Sequence, residues 1–360
     1  MTTEILEDKD PWGKETSYDK WVKSEGIPVI GGYSVEDLNT IKLGPWNRKG
    51  GLGAFVRMEG AEETNDCYVS EIPPGSNQKP QRHMFEELIY VLKGRGATSV
   101  WVDGGKPQTF EWQEGSLFSP PMNVWHQHFN GQGNAPARYL AVTSAPMVIN
   151  LFHNTEFVFD NPFVFKDRFN SETDYFGTKG TLHRGVEHFW ESNFIPDMRR
   201  FQLYPYGVRG AGGSNCKFML SENTMVAHVS EFPVGTYKKG HRHGPGAHVV
   251  LIGGTGYSLM WLEGQPKMKI DWHEGSMFVP PDKWFHQHFN TGAEPAKYLA
   301  LRWGSKKYKM GKEFGTREDI KKGGDQIEYQ DEDPEIRALF DSELAKKGLK
   351  ANMPPVGNKK

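Results

Sequence analysis

The sequence has little of what a membrane protein, a nucleic-acid-binding protein or a disulfide-bonded scaffold needs. It contains no run of about 18 apolar residues, so we expect no transmembrane helix and no membrane partner. Its 43 basic residues are balanced by 45 acidic ones. A concentrated basic surface for phosphate binding is therefore not expected, and we predict no nucleic-acid partner.

Cysteine is scarce, and the N-terminal residues lack the apolar segment of a signal peptide. The two cysteines, Cys67 and Cys216, cannot form a disulfide framework and are typical of a reducing compartment. Residues 1–25 are polar and acidic, which argues against export. Together these features predict a cytoplasmic protein.

What the sequence does have is an internal repeat with an offset of 160 residues. Residues 112–130, WQEGSLFSPPMNVWHQHFN, return as residues 272–290, WHEGSMFVPPDKWFHQHFN. Residues 69–75 return as 229–235 at the same offset. Both repeats consist of short apolar or alternating segments bounded by glycine or proline, which are typical of β-strands. A duplicated set of short strands predicts two jelly-roll or sandwich units.

In a β-strand, the side chains of residues two apart point to the same face. His241 and His243 therefore face one way, and we expect His286, on a strand brought close by the fold, to supply a third imidazole. Three neutral imidazoles on one side of a metal leave its other positions open, which suits non-haem Fe(II). Manganese, nickel, zinc or copper would also accept these ligands.

The first repeat carries a different ligand set at the equivalent positions. Gln81 replaces the first histidine, while His83, Glu87 and His126 remain. These three predict a second metal site, with the Gln81 amide as a weak fourth ligand. The alternative is a site that no longer binds metal, in which the polar side chains hydrogen-bond one another.

These patterns resemble the motifs of the cupin superfamily. The second motif of that family, Gly, then Pro five residues later, then His and Asn, is present in both repeats: Gly115, Pro120, His126 and Asn130, and again Gly275, Pro280, His286 and Asn290. The His-x-His of the first motif is complete only in the second repeat, where Ala247 replaces the glutamate of the family. The resemblance covers roughly residues 45–145 and 205–303.

The resemblance implies an all-β fold with two cupin barrels, each a double-stranded β-helix or jelly roll, in one chain. Short helices are expected in the inter-domain linker and in the C-terminal tail, where Asp333-Pro334 and an apolar stripe predict a helix over 334–347. The predicted domains are an N-terminal extension (1–40), cupin domain 1 (41–150), a linker (151–200), cupin domain 2 (201–305) and a C-terminal tail (306–360).

The segments HRHGPGAHVV and WFHQHFN of the second repeat are similar to those of gentisate dioxygenase and related ring-cleaving bicupins. In that group a three-histidine ferrous site binds an aromatic hydroxy-acid and attacks its ring with O₂. The resemblance implies such a site at His241, His243 and His286. The occupied site of that group usually lies in the N-terminal repeat, whereas the three histidines here lie in the C-terminal one.

Five further residues are candidates for catalysis or substrate binding. His128 and His288 lie two residues past a ligand, so they point inward and are predicted to act as acid/base groups or hydrogen-bond donors; the alternative is packing. Arg302 is predicted to bind a substrate carboxylate as a bidentate fork, and the alternative is a pair with a neighbouring carboxylate. Trp261 and Tyr257 are predicted to form an aromatic wall for a flat substrate, and the alternative is packing.

The resulting prediction is a metal-dependent bicupin enzyme. The favoured reaction is cleavage of a C–C bond of an aromatic or enolic hydroxy-acid by a non-haem Fe(II) dioxygenase, with O₂ and a small molecule as substrates. The alternatives are a non-oxidative Mn- or Zn-dependent lyase, isomerase or decarboxylase of a small acid, and a ligand-binding bicupin without catalysis. The resemblance to bicupins also implies a homo-oligomer.

Overall fold

The computed structural model describes residues 13–61, 64–210, 212–244, 246–309 and 318–353. The remainder of the predicted N-terminal extension and C-terminal tail lies outside the described residues: 1–12, 310–317 and 354–360.

The first half of the chain consists of strands separated by tight turns. They are β1 (Val29–Gly32), β2 (Ser34–Val35), β3 (Gly44–Pro45), β4 (Leu52–Met58), β5 (Asp66–Ile72), β6 (Glu87–Lys93), β7 (Arg95–Trp101), β8 (Gln108–Gln113), β9 (Leu117–Phe118), β10 (Trp125–Asn130) and β11 (Ala137–Thr143).

The second half repeats this series. Its strands are β12 (Thr181–His183), β13 (Phe189–Glu191), β14 (Phe194–Ile195), β15 (Tyr204–Pro205), β16 (Ser214–Met219), β17 (Met225–Phe232), β18 (His248–Gly253), β19 (Gly256–Trp261), β20 (Met268–Trp272), β21 (Met277–Phe278), β22 (Phe285–Asn290) and β23 (Ala296–Trp303).

Each half is a sandwich of one large sheet and one three-stranded sheet. In the first half the order β1-β4-β5-β11-β6-β9-β14, with β3 on β4, faces β10-β7-β8. In the second half the order β12-β13-β16-β17-β23-β18-β21-β2, with β15 on β16, faces β20-β19-β22. The predicted all-β fold with two cupin-like halves is confirmed. Hydrogen-bonded pairing among the described strands forms open sheets, so each half is a two-layer sandwich and not a closed barrel.

The two halves exchange edge strands. β2, which precedes the first repeat's large strands, pairs with β21 of the second half through Val35 and Met277. β14, which precedes those of the second repeat, pairs with β9 of the first half through Ile195 and Leu117. The segments predicted as extension and linker therefore contain strands that join the halves.

The large sheets of the two halves share one core. Along β6 the side chains alternate: Leu88 and Tyr90 belong to the cluster between the halves, whereas Ile89 and Val91 belong to the interior of the first sandwich. The cluster between the halves draws residues from both repeats, among them Val69, Leu140, Val229, Val250 and Leu299. This two-residue period is expected for strands that are buried on both faces.

Four α-helices occur in the described residues, and they cover the outside of the sandwiches. They are α1 (Ser17–Ser24), α2 (Ala145–Phe152), α3 (Thr155–Phe159) and α4 (Pro334–Lys346). The Asp333 side chain caps α4 by accepting a hydrogen bond from the backbone N–H of Glu335, and Pro334 occupies its first turn, as the sequence predicts. No helix in the described parts of the chain has the length and apolar character needed to span a membrane.

Candidate metal centres

His83, Glu87 and His126 come together inside the first sandwich. Glu87 begins β6, His126 lies in β10, and His83 lies in the loop before β6. The Nε2 atoms of His83 and His126 are 3.6 Å and 3.8 Å from Glu87 Oε2. All three side chains are buried. We call these three residues the first centre.

The hydrogen bonds of the two imidazoles direct a lone pair of each ring into the first centre. His83 Nδ1 donates to the Phe85 carbonyl (2.8 Å) and His126 Nδ1 donates to the Val124 carbonyl (3.1 Å). A carbonyl can only accept, so each Nδ1 carries the proton and each Nε2 is unprotonated. Burial lowers the pKa of His126 well below its usual value, which keeps that ring neutral.

Three atoms of the first centre are buried without a hydrogen-bond partner: His83 Nε2, His126 Nε2 and Glu87 Oε2. Their separations exceed hydrogen-bond length. The three residues therefore do not form a mutually hydrogen-bonded cluster. Two imidazole lone pairs and a carboxylate oxygen aimed at one point fit a divalent cation.

Lys49 and Tyr68 hold the other oxygen of Glu87, although the sequence pattern predicts a role for neither. Lys49 Nζ lies 3.6 Å from Glu87 Oε1 and donates to the Tyr68 hydroxyl, which in turn donates to Glu87 Oε1. Burial alone would raise the pKa of Glu87, but the Lys49 ammonium and the neighbouring imidazoles hold it well below its usual value. The carboxylate is thus ionised, with only Oε2 left for a metal. One indication in the sequence is that the residue equivalent to Lys49 in the second repeat, Arg209, is also a cation.

Gln81 lies beside the first centre, but its amide nitrogen points elsewhere. Gln81 Nε2 donates to the backbone carbonyls of Arg48 (3.1 Å) and Pro80 (3.0 Å). Its backbone pairs with that of His126. Only the amide oxygen of Gln81 is left for a metal or a bound ligand.

His241, His243 and His286 come together inside the second sandwich, and we call them the second centre. The ring centroids of His241 and His286 are 4.3 Å apart, and those of His243 and His286 are 5.0 Å apart. His241 and His286 exchange two backbone hydrogen bonds of 3.1 Å and 2.8 Å. The candidate ligand atoms of all three rings lie within 4.8 Å of one another.

The second centre consists of imidazoles only, and backbone carbonyls orient two of these rings as they do in the first centre. His241 Nδ1 donates to the Lys239 carbonyl (2.9 Å) and His286 Nδ1 donates to the Trp284 carbonyl (3.3 Å), so each Nε2 is free to coordinate. The Nδ1 atom of His243 is buried without a hydrogen-bond partner. Burial lowers the pKa of His286 to about 3. Three neutral imidazoles fit a divalent transition metal.

Arg302 lies where the second centre lacks a carboxylate. In the first half, Glu87 pairs across the β6–β11 ladder with Thr143. In the second half, His248 pairs with Leu301, so the next residues, Ala247 and Arg302, lie opposite each other. The pKa of His243 is lowered by burial, by His286 and, as the third cause, by the positive charge of Arg302. The predicted substrate-binding arginine is therefore adjacent to the second centre.

His128 and His288 lie beside the centres on the inner faces of β10 and β22. Their ring centroids are 5.5 Å from His126 and 5.6 Å from His286 respectively. His288 Nδ1 is 2.8 Å from the Ser258 hydroxyl, and His128 Nδ1 is 2.7 Å from the Thr98 hydroxyl.

Buried tryptophans fix the tautomers of these two histidines. Trp272 Nε1–H donates to the Ser258 hydroxyl (3.0 Å), so that hydroxyl gives its proton to His288 Nδ1. Trp112 and Thr98 repeat the arrangement at 2.9 Å for His128. Each ring consequently carries its proton on Nε2, and His128 Nε2 is buried without a partner. Both residues can donate a hydrogen bond to a ligand at the neighbouring centre.

Trp261 and Tyr257 are not brought to the second centre. In the β19–β22 ladder they pair with Phe285 and Phe289, whereas Met260 pairs with His286. Alternating strand positions face opposite sides, so both aromatic rings lie on the face away from the histidines. They stack on their partners with centroids 5.6 Å and 4.5 Å apart, in a cluster that includes residues of α4.

A third group of potential ligands lies between the halves, and we assign no metal to it. Asp66, Cys67 and His248 are buried and have ligand atoms within 4.8 Å of one another. Asp66 Oδ2 already accepts hydrogen bonds from the Tyr18 hydroxyl (3.0 Å) and Arg57 Nε (3.1 Å). The negative charge is thus compensated by an arginine.

Comparison with known proteins supports the fold. Residues 68–143 match the family described as cupin domain. The chain is 32% identical over 88 residues to auxin-binding protein T85 of Nicotiana tabacum, which covers 23% of this chain and 47% of that protein. It is 27% identical over 120 residues to auxin-binding protein 4 of Zea mays, which covers 32% of this chain and 59% of that protein. The chain thus spans about half the length of these curated relatives.

The similar solved structures include oxalate decarboxylases. The formate complex of the Lactobacillus farciminis enzyme has a TM-score of 0.50 and 12% identity, over 76% of this chain and 86% of that chain. A variant of the Bacillus subtilis enzyme has a TM-score of 0.49 and 14% identity, over 76% and 78%. This level of identity shows the fold alone. Residues 68–143 are therefore similar to a cupin domain, and the chain has a fold of two cupin-like halves.

Proposed function

We propose that this protein is a metal-dependent bicupin enzyme whose working centre is the second one. The favoured activity is that of a non-haem Fe(II) dioxygenase that cleaves a C–C bond of an aromatic or enolic hydroxy-acid. The observation that carries the proposal is the cluster of His241, His243 and His286 with Arg302 opposite Ala247.

The ligand set supports iron and an anionic substrate. Iron(II) held by the three imidazoles would supply the reactivity toward O₂ that the side chains lack. Neutral ligands leave the charge of a bound cation uncompensated, in contrast to the first centre, where Glu87 contributes a negative charge. An acid is therefore attracted to the second centre more strongly than to the first.

Two side chains are placed to orient the substrate. Arg302 presents a planar, permanently charged fork that matches a carboxylate. His288 holds its proton on Nε2 because Ser258 donates to Nδ1, so it can donate a hydrogen bond to a substrate oxygen. We propose that these two contacts fix the acid relative to the histidines.

Access also favours the second centre. His83, Glu87 and His126 are all buried, whereas His243 is half-buried. We propose that the first centre holds a divalent metal with a structural role and that substrate reaches the second centre past His243.

The test is oxygen consumption by the metal-loaded protein in the presence of a panel of hydroxy-acids. We expect consumption with at least one acid in the wild-type chain, loss of consumption in His286→Ala, and retention in the control His83→Ala. Absence of consumption across a broad panel, by protein that contains iron, would contradict the dioxygenase proposal.

The second candidate is a non-oxidative manganese-dependent decarboxylase of a small acid. Two observations favour it: the carboxylate ligand Glu87, since carboxylate oxygens suit manganese, and the fold shared with an oxalate decarboxylase. Release of CO₂ from a carboxylic acid under strict anaerobiosis would support this candidate. The dioxygenase proposal predicts no turnover under those conditions.

A further inference from the structure

Lys238 places a positive charge inside the second sandwich with neutral partners. The side chain is only 3% exposed. Its ammonium donates to the Ser230 hydroxyl and to the Tyr298 hydroxyl (3.1 Å). No carboxylate in the described part of the chain forms an ion pair with Lys238. An ammonium has three N–H donors, so one remains for a further partner.

The first repeat shows that these contacts do not require a charge. Gln78, the residue equivalent to Lys238, donates to the Ser70 hydroxyl (2.7 Å) and accepts from the Tyr139 hydroxyl (2.7 Å). These partners correspond to Ser230 and Tyr298. A neutral amide therefore satisfies the same two hydroxyls, and a buried lysine in its place adds a desolvation cost. The rings of Phe232 and Tyr298, with centroids 5.4 Å and 4.8 Å from Lys238 Nζ, offset part of that cost but supply no negative charge. A bound anion would offset that cost.

Lys238 lies on the side of the second centre that is occupied by His288. Its backbone N–H donates to the His288 carbonyl (3.0 Å). The Tyr298 hydroxyl accepts from Lys238, and the Tyr298 ring packs against His288 with centroids 5.1 Å apart. Tyr298 also lies 5.9 Å from His228, a half-buried ring. The ring of Tyr298 thus connects the Lys238 ammonium to His288.

We propose that Lys238 binds a second anionic group of the ligand, so that the second centre selects small dianions, in particular dicarboxylic acids, over monoanions. Arg302 binds the first carboxylate, and Lys238 donates its third N–H to the other. This inference rests on the proposed function, because it takes the second centre as the working site and Arg302 as its carboxylate partner.

Charge differences between the repeats support this selection. At three equivalent positions the second half is more positive than the first: Lys238 replaces Gln78, Arg302 replaces Thr143, and Ala247 replaces Glu87. Each replacement favours negative charge in the ligand. A site for a neutral or singly charged molecule would not need all three replacements.

The experiment compares succinate with its monomethyl ester, which has one carboxylate fewer at nearly the same size. Binding of each to the full-length, metal-loaded protein is measured by calorimetry, with metal content determined on the same samples. For the wild-type chain we expect succinate to bind about tenfold or more tightly than the ester, since a hydrogen bond to a charged group has that effect on affinity.

The informative variant is Lys238→Gln, which introduces the residue of the first repeat and is therefore compatible with the fold. We expect it to retain metal and the affinity for the ester, and to lose the preference for succinate. Lys239→Gln is the matched control, because the Lys239 ammonium forms an ion pair with Glu328 at 2.6 Å and not with residues of the sandwich interior. This variant should leave the affinities for succinate and for the ester unchanged.

Three results would overturn the inference, and they differ in what they say about the proposed function. Equal binding of ester and succinate to the wild-type chain, or an unchanged preference in Lys238→Gln, would refute the role of Lys238 while leaving an acid-binding metal centre in place. Absence of binding of either compound to metal-loaded protein would refute both the inference and the acid-binding centre.

Discussion

Lys49 Nζ lies 3.6 Å from Glu87 Oε1 in the interior of the first sandwich, where both side chains are buried. The lysine and Tyr68 engage one oxygen of the carboxylate, and the other faces the two histidines. The ion pair therefore fixes the orientation of a candidate metal ligand, and Lys49 is a positioning residue of the first centre.

Removal of this ammonium should weaken metal binding at the first centre. We expect Lys49→Met to lower metal affinity there by roughly 10- to 100-fold, the usual effect of losing a partner that orients a ligand. Metal content after dialysis, measured in a His241→Ala background so that only the first centre contributes, checks this. The control is Lys79→Met, since Lys79 is exposed and its ammonium donates to the Asn47 carbonyl rather than to a residue of the first centre. Equal metal retention in both lysine variants would show that Lys49 does not position Glu87.

Restoring the missing carboxylate should convert the second centre into one that repels acids. In Ala247→Glu we expect the new side chain to pair with Arg302 and to add a ligand, so that metal is retained but affinity for a carboxylate probe such as succinate falls by about tenfold or more. Calorimetry with succinate measures the effect, and Ala247→Ser serves as the size control. Undiminished succinate binding in Ala247→Glu would contradict the placement of the acid next to Arg302.

The hydroxyl of Tyr257 should be dispensable for ligand binding. Tyr257 lies on the outer face of β19, and its hydroxyl is buried without a hydrogen-bond partner. Tyr257→Phe removes that unsatisfied group, so we expect the free energy of unfolding to stay equal or to rise by up to about 1 kcal/mol. Chemical denaturation measures the free energy of unfolding of Tyr257→Phe, and calorimetry measures its affinity for succinate, which we expect to be unchanged. A large fall in succinate affinity would show that Tyr257 reaches the second centre after all.

The two halves should unfold together. They share a continuous core and exchange β2 and β14. We therefore expect a single calorimetric transition for the full chain. The variant Val35→Ala, which truncates a buried side chain of β2, should lower the midpoint of that one transition without splitting it. Two separate transitions, one for each half, would contradict this coupling.

The repeat made the fold and the two histidine clusters predictable from the sequence. A duplicated pattern of short strands specifies two similar sandwiches, and the two-residue period places His241 and His243 on one face, with His288 inward beside His286. These inferences need only local pattern and one family resemblance.

The remaining features depend on long-range pairing that the sequence does not display. Lys49 reaches Glu87 from a loop before β4, and Lys238 is distinguished from Gln78 only once its hydroxyl partners are known. Tyr257 and Trp261 are predicted from the sequence to form an aromatic wall for a flat substrate. The register that pairs Met260 with His286 places them on the other face.

The most direct test of the second centre as the working site is the metal content of protein purified without oxygen or chelators, in the wild-type chain and in two variants. We predict that the wild-type chain contains iron, that His241→Ala loses it, and that His83→Ala keeps it. Iron that remains in His241→Ala and disappears in His83→Ala would contradict the assignment of the second centre as the working site.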